Sequence, residues 1–194
     1  MTYTNLDLDI ANRALAKLGL REITSITADE ESARVINTIY EGVLNFELSI
    51  YAWAFALKRA SINADNDAPA FEYNFQYSLP ADFLRLESIY NVPENMRDAY
   101  SIENGKILTN ISGPLQIVYL SSTLNQAAWP PYFIEAVACR LAYEICERLK
   151  QDPSRKNTLM QEYQLVIGAA KRSNAIQLAI KQLKPTSWEA AHGW

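Results

Sequence analysis

Few side chains in this 194-residue chain are of the types that catalytic sites most often use. The chain has one histidine, His192, and two cysteines, Cys139 and Cys146. A single histidine so near the C-terminus argues against a Ser-His-Asp triad, a histidine general base in a folded core and a zinc site built on histidines. Any catalysis would therefore depend on carboxylates or on a lone thiol.

The two cysteines are seven residues apart within one predicted helix. Helical rise would separate their Cα atoms by about 10 Å, which is beyond the reach of a disulfide. We expect both thiols to be buried as small apolar side chains.

Paired carboxylates are the remaining candidates for chemistry, because glycoside hydrolysis needs only two of them, about 5–10 Å apart. Asp7 and Asp9 lie beside a predicted helix start, and Asp65 and Asp67 lie in a polar turn. Aspartate is common at both places because it hydrogen-bonds nearby backbone groups, so a structural role is favoured. A carboxylate-based glycan hydrolase remains the alternative function, and it would use Asp65, Asp67, Glu72 or Asp82.

The sequence has few features that are typical of nucleotide-binding or nucleic-acid-binding proteins. The six glycines are scattered, so neither a P-loop nor a dinucleotide-binding loop is present. The late basic residues are Arg148, Lys150, Arg155, Lys156, Lys171, Arg172, Lys181 and Lys184. They straddle a helix junction, where cations stabilise helix C-termini, so a solvated or subunit-facing surface is favoured over a DNA-binding regulator. None of these patterns requires a metal ion or an organic cofactor.

Helical periodicity dominates both ends of the chain. We predict a first helix ending at Gly19, a second over about 29–51, a third from Pro130-Pro131 to about Lys150, and a fourth from Pro153, capped by Asp152, to about Leu183. The second helix has two adjoining apolar stripes, which imply contact with more than one neighbour. The third is apolar nearly all round and should be the most buried.

The middle of the chain, residues 61–128, has the alternation and turn signals of short strands. Asn104-Gly105 predicts a type I′ hairpin. The predicted fold is α+β, with an antiparallel bundle of about four helices (residues 1–60 and 129–183), one inserted small antiparallel β module (61–128) and a flexible tail (184–194). Net charges are −2 for residues 1–60, −5 for 61–128 and +3 for 129–194.

Three stretches of the sequence carry a family resemblance. They are residues 11–20 (ANRALAKLGL), residues 48–60 (LSIYAWAFALKRA) and residues 77–86 (YSLPADFLRL). Together with Ile23-Thr-Ser-Ile, Ala33 and Tyr40, this pattern resembles the tail tubular protein A family of short-tailed bacteriophages, which are head-to-tail adaptors. The match is strongest over the first ninety residues, and the order of elements extends it to the whole chain.

The resemblance implies a structural virion protein and no enzymatic activity. Members of that family form a ring, dodecameric in the virion, that attaches to the portal protein, extends its DNA channel and docks the tail nozzle and the tail fibres. Double-stranded DNA would pass through the lumen without specific binding. We expect residues 61–128 to face the distal tail and the last residues to dock into the portal through Lys184, Trp188 and Trp194.

The expected location is the virion tail, preceded by the host cytoplasm before assembly. The first ten residues carry acids instead of the basic and apolar stretches of a secretory leader. No apolar run approaches the roughly 18 residues of a membrane span. The tail tryptophans are either anchors for a partner or part of a solvent-exposed chain end.

Overall fold

A computed structural model describes residues 3–90, 100–122 and 125–182. Within them lie four α-helices, which are α1 (Asn5–Lys17), α2 (Glu31–Ser49), α3 (Pro131–Leu149) and α4 (Pro153–Gln182). Six strands lie between α2 and α3: β1 (Leu57–Ile62), β2 (Phe75–Ser78), β3 (Phe83–Ile89), β4 (Tyr100–Glu103), β5 (Lys106–Thr109) and β6 (Leu115–Ser121). The chain forms two compact units, a helical unit (Met1–Glu47 with Asn125–Trp194) and a β unit (Leu48–Leu124).

Local signals fix the ends of the helices. Thr4 caps α1 in a capping box, in which its hydroxyl accepts from the Asp7 backbone N–H and the Asp7 carboxylate accepts from the Thr4 backbone. Gly19 follows α1 with φ of +63°, as its position after the apolar stripe predicts. Asp152 caps α4 by accepting a hydrogen bond from the Arg155 backbone N–H at 3.0 Å.

Helix α3 forms the centre of the helical unit and contacts both α1 and α4. Its fully buried side chains are Phe133, Ala136, Val137, Ala138, Cys139, Leu141, Ala142, Ile145 and Cys146. The prediction of a central buried helix is therefore confirmed. Both cysteines are free, as their spacing predicts, and burial raises the pKa of each thiol.

The described residues of the β unit form two antiparallel sheets of three strands each. The strand order is β1-β6-β3 in the first sheet and β2-β5-β4 in the second. One apolar core draws on both sheets, and its buried members are Tyr77, Ile89, Ile107, Leu115, Ile117 and Tyr119. The β4–β5 hairpin turns at Asn104 and Gly105, whose positive φ values of 47° and 72° confirm the predicted turn.

The prediction of a helical bundle with one small β module is wrong, although the α+β class is correct. The six described strands form two sheets instead of one module. Alternation along a strand identifies its buried face but does not show which strands pair. Strand β1 pairs with β6, the last strand in sequence, while β5 pairs with both β2 and β4. Those pairings split the strands into two layers around a common core.

Candidate assembly surfaces

The residues predicted to dock into the portal, Lys184, Trp188 and Trp194, lie outside the residues that the structure describes. Helix α4 is described as far as Gln182. The docking role of these three residues stays a prediction, and the structural observations that bear on function come from earlier residues.

Asp82, a candidate acid of the hydrolase alternative, lies at the start of β3. Its carboxylate accepts hydrogen bonds from Lys58 Nζ at 2.7 Å, Ser121 Oγ at 2.7 Å and the Tyr119 hydroxyl at 3.0 Å. The hydrogen bond from Lys58 is the largest cause that lowers the pKa of Asp82, to about 2. A general acid needs a raised pKa, so Asp82 instead links β3 to β1 and β6.

Asp65 makes a similar link in the second sheet. Its carboxylate accepts from Lys106 Nζ at 2.8 Å and from the Ser78 hydroxyl at 3.0 Å. The hydrogen bond from Lys106 lowers the pKa of Asp65. Asp67 and Glu72 are exposed. Asp65 and Asp82, the two half-buried carboxylates of the glycan hydrolase alternative, are therefore each held ionised by a lysine of a nearby strand.

The basic residues after position 140 are partly engaged within the helical unit. The Arg155 guanidinium donates to the Lys17 carbonyl, at 2.6 Å from Nη2 and 3.1 Å from Nε, at the C-terminal end of α1. It also pairs with Glu162 at 3.1 Å, and Lys156 pairs with Glu147. An arginine at a helix C-terminus is electrostatically favourable, but the helix is α1 and not the helix before the junction that the sequence indicates.

Residues 3–90, 100–122 and 125–182 contain no group of three or more His, Cys, Asp or Glu side chains placed to hold a metal ion. Over the same ranges no helix combines the length and the apolar character needed to cross a membrane.

A buried carboxylate joins three helices of the helical unit. Glu47, near the end of α2, is completely buried, and its Oε1 accepts from the Tyr163 hydroxyl of α4 at 2.9 Å. Burial raises the pKa of Glu47 to about 7, while the hydrogen bond from Tyr163 and the charges of Arg140 and Lys171 lower it. The sequence does not indicate this cluster, because Glu47 lies within an ordinary amphipathic pattern.

A groove of about 410 Å³ opens between α2 and α3. Its lining residues are Ile39, Gly42, Val43, Phe46, Arg140 and Glu144. Phe46 is 47% exposed, and the Arg140 guanidinium lies 4.9 Å from the centre of its ring. Ile39 and Phe46 belong to the second apolar stripe that the sequence predicts on α2. Among the described residues, Ile39 and Phe46 of that stripe are partly exposed.

Helix α4 has apolar residues on two opposite faces. Positions at helical spacing from Tyr163 face inward and are buried, namely Leu159, Tyr163, Ile167, Ala170 and Asn174. We define the outer face of α4 as Leu165, Ala169, Arg172 and Ile176, which lie on the opposite side of the helix. Leu165 is 75% exposed and Ile176 is 65% exposed. Large exposed apolar side chains that share one face are typical of interaction surfaces.

Neither apolar surface was assigned as a site from the sequence alone. The signal for the groove was present in the double stripe of α2, whereas Leu165 and Ile176 look like ordinary core positions until the orientation of α4 is known. No protein-family model matches the chain, and no curated protein is significantly similar to it.

Proposed function

We propose that this chain is a structural virion protein, a subunit of the head-to-tail adaptor ring beneath the portal of a short-tailed bacteriophage. The ring would extend the DNA channel and provide docking surfaces for the tail nozzle and fibres. The proposal starts from the sequence resemblance over residues 11–20, 48–60 and 77–86.

The outer face of α4 is the observation that carries the proposal. An isolated helical unit gains nothing by exposing Leu165 and Ile176, because burying a leucine or isoleucine side chain is worth about 1.5–3 kcal/mol. A subunit of a ring has neighbours that can cover such a face. The 30-residue length of α4 also provides a contact line of about 45 Å.

The distribution of charge supports a channel for DNA. The chain has a net charge of −4, and residues 61–128 alone carry −5. Lysine and arginine contacts to phosphates would retain DNA in a salt-dependent way, whereas an acidic wall lets a polyanion pass. The lysines at positions 58 and 106 are paired with Asp82 and Asp65.

Measurement of particle mass tests the proposal directly. Purified chain is mixed with purified portal rings of short-tailed bacteriophages, and the mass of the complexes is measured by native mass spectrometry. We expect each portal to gain one ring of this chain, with twelve copies as the family resemblance implies.

A truncated chain lacking residues 185–194 tests the docking role of Trp188 and Trp194. We expect attachment to portals to fall at least tenfold, and a Trp188→Ala, Trp194→Ala variant of the full chain should behave in the same way. A full-length, folded chain that adds no mass to any portal would refute the adaptor function. Undiminished attachment of the truncated chain would refute the docking role alone.

A further inference from the structure

Two different apolar surfaces occur on the same helical unit. One is the outer face of α4, and the other is the groove around Phe46, between α2 and α3. If each surface packed against the same surface of another copy, each contact would have two-fold symmetry. If one surface packs against the other, the contact is heterologous, and its repetition gives a ring when the rotation between copies closes and an open filament when it does not.

We propose that neighbouring copies of this chain join head to tail, with the outer face of α4 of one copy packed into the Phe46 groove of the next. The inference rests on the proposed function and identifies the surfaces through which the subunits meet. Leu165 and Ile176 supply the apolar ridge, and Ile39 and Phe46 supply the apolar lining of the groove.

Charge favours this pairing of surfaces. On the outer face of α4, Arg172 is the charged residue, and it is exposed. In the groove, the Glu144 side chain is 35% exposed, whereas the Arg140 side chain is 22% exposed and pairs with it at 2.6 Å. The more accessible member of this ion pair is therefore the carboxylate of Glu144, and the outer face of α4 carries the guanidinium of Arg172. Few charges and a single arginine are typical of the centre of a protein interface.

The area of the contact is too small to hold an isolated pair of copies together. The ridge from residue 161 to 177 is about 25 Å long and about 10 Å wide, which gives roughly 250 Å² per copy. A stable pair of proteins usually buries about 800 Å² on each partner. In a ring each copy uses both surfaces, and alignment on a portal removes much of the entropic cost of association. We therefore expect this contact to form mainly among copies held on one portal.

Crosslinking of introduced cysteines tests the pairing. Gly42 lines the groove, and a side-chain carbon added there would meet no atom within 4 Å, so Gly42→Cys fits. Ala169→Cys places a thiol on the ridge. The native Cys139 and Cys146 are completely buried, so the unaltered chain serves as the control for background reaction with a short bis-maleimide reagent.

Each single variant, a mixture of the two and the double variant are treated on portals. We expect the single variants to stay uncrosslinked, the mixture to give dimers and the double variant to give a ladder of higher oligomers. Crosslinked dimers of Ala169→Cys alone would overturn the proposal, because they require a two-fold contact. Absence of crosslinks in a mixture that still attaches to portals would also overturn it and leave the adaptor function intact. Failure of the unaltered chain to attach to portals refutes the adaptor function and, with it, the pairing that rests on that function.

Reversal of the ridge charge gives a second measurement. We expect Arg172→Glu to lower the crosslinking yield of the mixture about two- to fivefold, as for loss of an exposed ion pair. Lys150→Glu is the matched control, because this exposed residue carries the same charge and lies outside both surfaces. Equal yields for the two variants would contradict the predicted role of Arg172.

Discussion

The helical unit and the β unit bury their carboxylates in different ways. In the helical unit, Asp7 is 4% exposed and Glu47 is completely buried, and their hydrogen-bond donors include neutral groups such as the hydroxyls of Tyr40 and Tyr163. The charges of Arg140 and Lys171 also act on Glu47. The electrostatic cost of burial is offset by hydrogen bonds within the packed helices.

In the β unit, Asp82 and Asp65 each lie beside a lysine of a β-strand, Lys58 of β1 and Lys106 of β5. Lys58 Nζ is 2.7 Å from Asp82, and Lys106 Nζ is 2.8 Å from Asp65. The pKa of each carboxyl is lowered, whereas that of Glu47 is raised. The two units should therefore respond in opposite directions to pH and unequally to removal of a carboxylate.

Removal of the Asp7 carboxylate should have the largest effect. Its two oxygens accept from the Thr4 backbone at 2.8 Å, the Tyr40 hydroxyl at 2.7 Å and the Gln126 amide at 2.9 Å. Asp7→Ala leaves these donors unsatisfied beside a buried cavity, so we expect the free energy of unfolding of the helical unit to fall by about 3 kcal/mol. Hydrogen exchange of peptides from α1 and α2 measures the change.

Asp82→Ala is the corresponding substitution in the β unit, and we expect it to lower the free energy of unfolding of that unit by about 1.5 kcal/mol. The Lys58 side chain is 41% exposed, so its ammonium can return to water when its partner is removed. Asp9→Ala is the control in the helical unit, because the Asp9–Arg13 pair is half exposed and contributes little. A larger loss for Asp82→Ala than for Asp7→Ala would contradict the contrast between the units.

The helix boundaries could be predicted because local chemistry determines them. Gly19, Asp152 and Pro153 each act within one turn of a helix end, and the observed helices end within a few residues of the predicted limits. The β unit was harder because strand pairing is a long-range property. The hairpin at Asn104-Gly105 follows from two adjacent residues, whereas the pairing of β1 with β6 joins Leu57 to Leu120.

The candidate surfaces show the same limit. Tyr163 and Ile167 are buried on the inner face of α4. Apolar spacing does not show that Leu165 and Ile176 share the opposite face, because each has an apolar neighbour in sequence, Val166 and Ala175, and either could belong to the buried side. The Glu47 cluster depends on α2, α3 and α4 meeting in three dimensions, which no local pattern encodes.

The pH response provides the next test of the contrast. Glu47 has a pKa of about 7 when folded, against about 4.3 in an unfolded chain. Between these values the folded state binds more protons than the unfolded state, so stability falls as pH rises. We expect the free energy of unfolding of the helical unit to fall by about 2 kcal/mol between pH 5 and pH 7. Urea denaturation followed by far-UV circular dichroism measures this change.

Glu47→Gln should flatten that pH dependence, since an amide can accept from Tyr163 without a charge. Glu22→Gln, at an exposed position, should leave it unchanged. The pH dependence of stability that Asp82 contributes has the opposite sign, because the pKa of its carboxyl is about 2 in the folded protein and about 3.9 in the unfolded chain. Its contribution to the β unit is present above pH 4 and is lost as pH falls toward 2. If the stability of the Glu47→Gln variant still fell with pH as steeply as that of the unaltered chain, the pH response would come from other groups.

The smallest effects come from the same substitution made in each unit. An alanine at Gly113 would place its Cβ 2.8 Å from the buried Tyr77 ring, whose hydroxyl donates to the Ile111 carbonyl at 2.8 Å. We expect Gly113→Ala to destabilise the β unit by about 1–2 kcal/mol. Gly42 lies within α2 with no atom within 4 Å of an added Cβ, so Gly42→Ala should stabilise the helical unit by about 0.5–1 kcal/mol through reduced backbone entropy in the unfolded state. The urea denaturation midpoints of the two variants should move in opposite directions. A shift of the same sign in both would mean that the close packing around Tyr77 and the open space at Gly42 do not determine the effect of an added methyl group on stability.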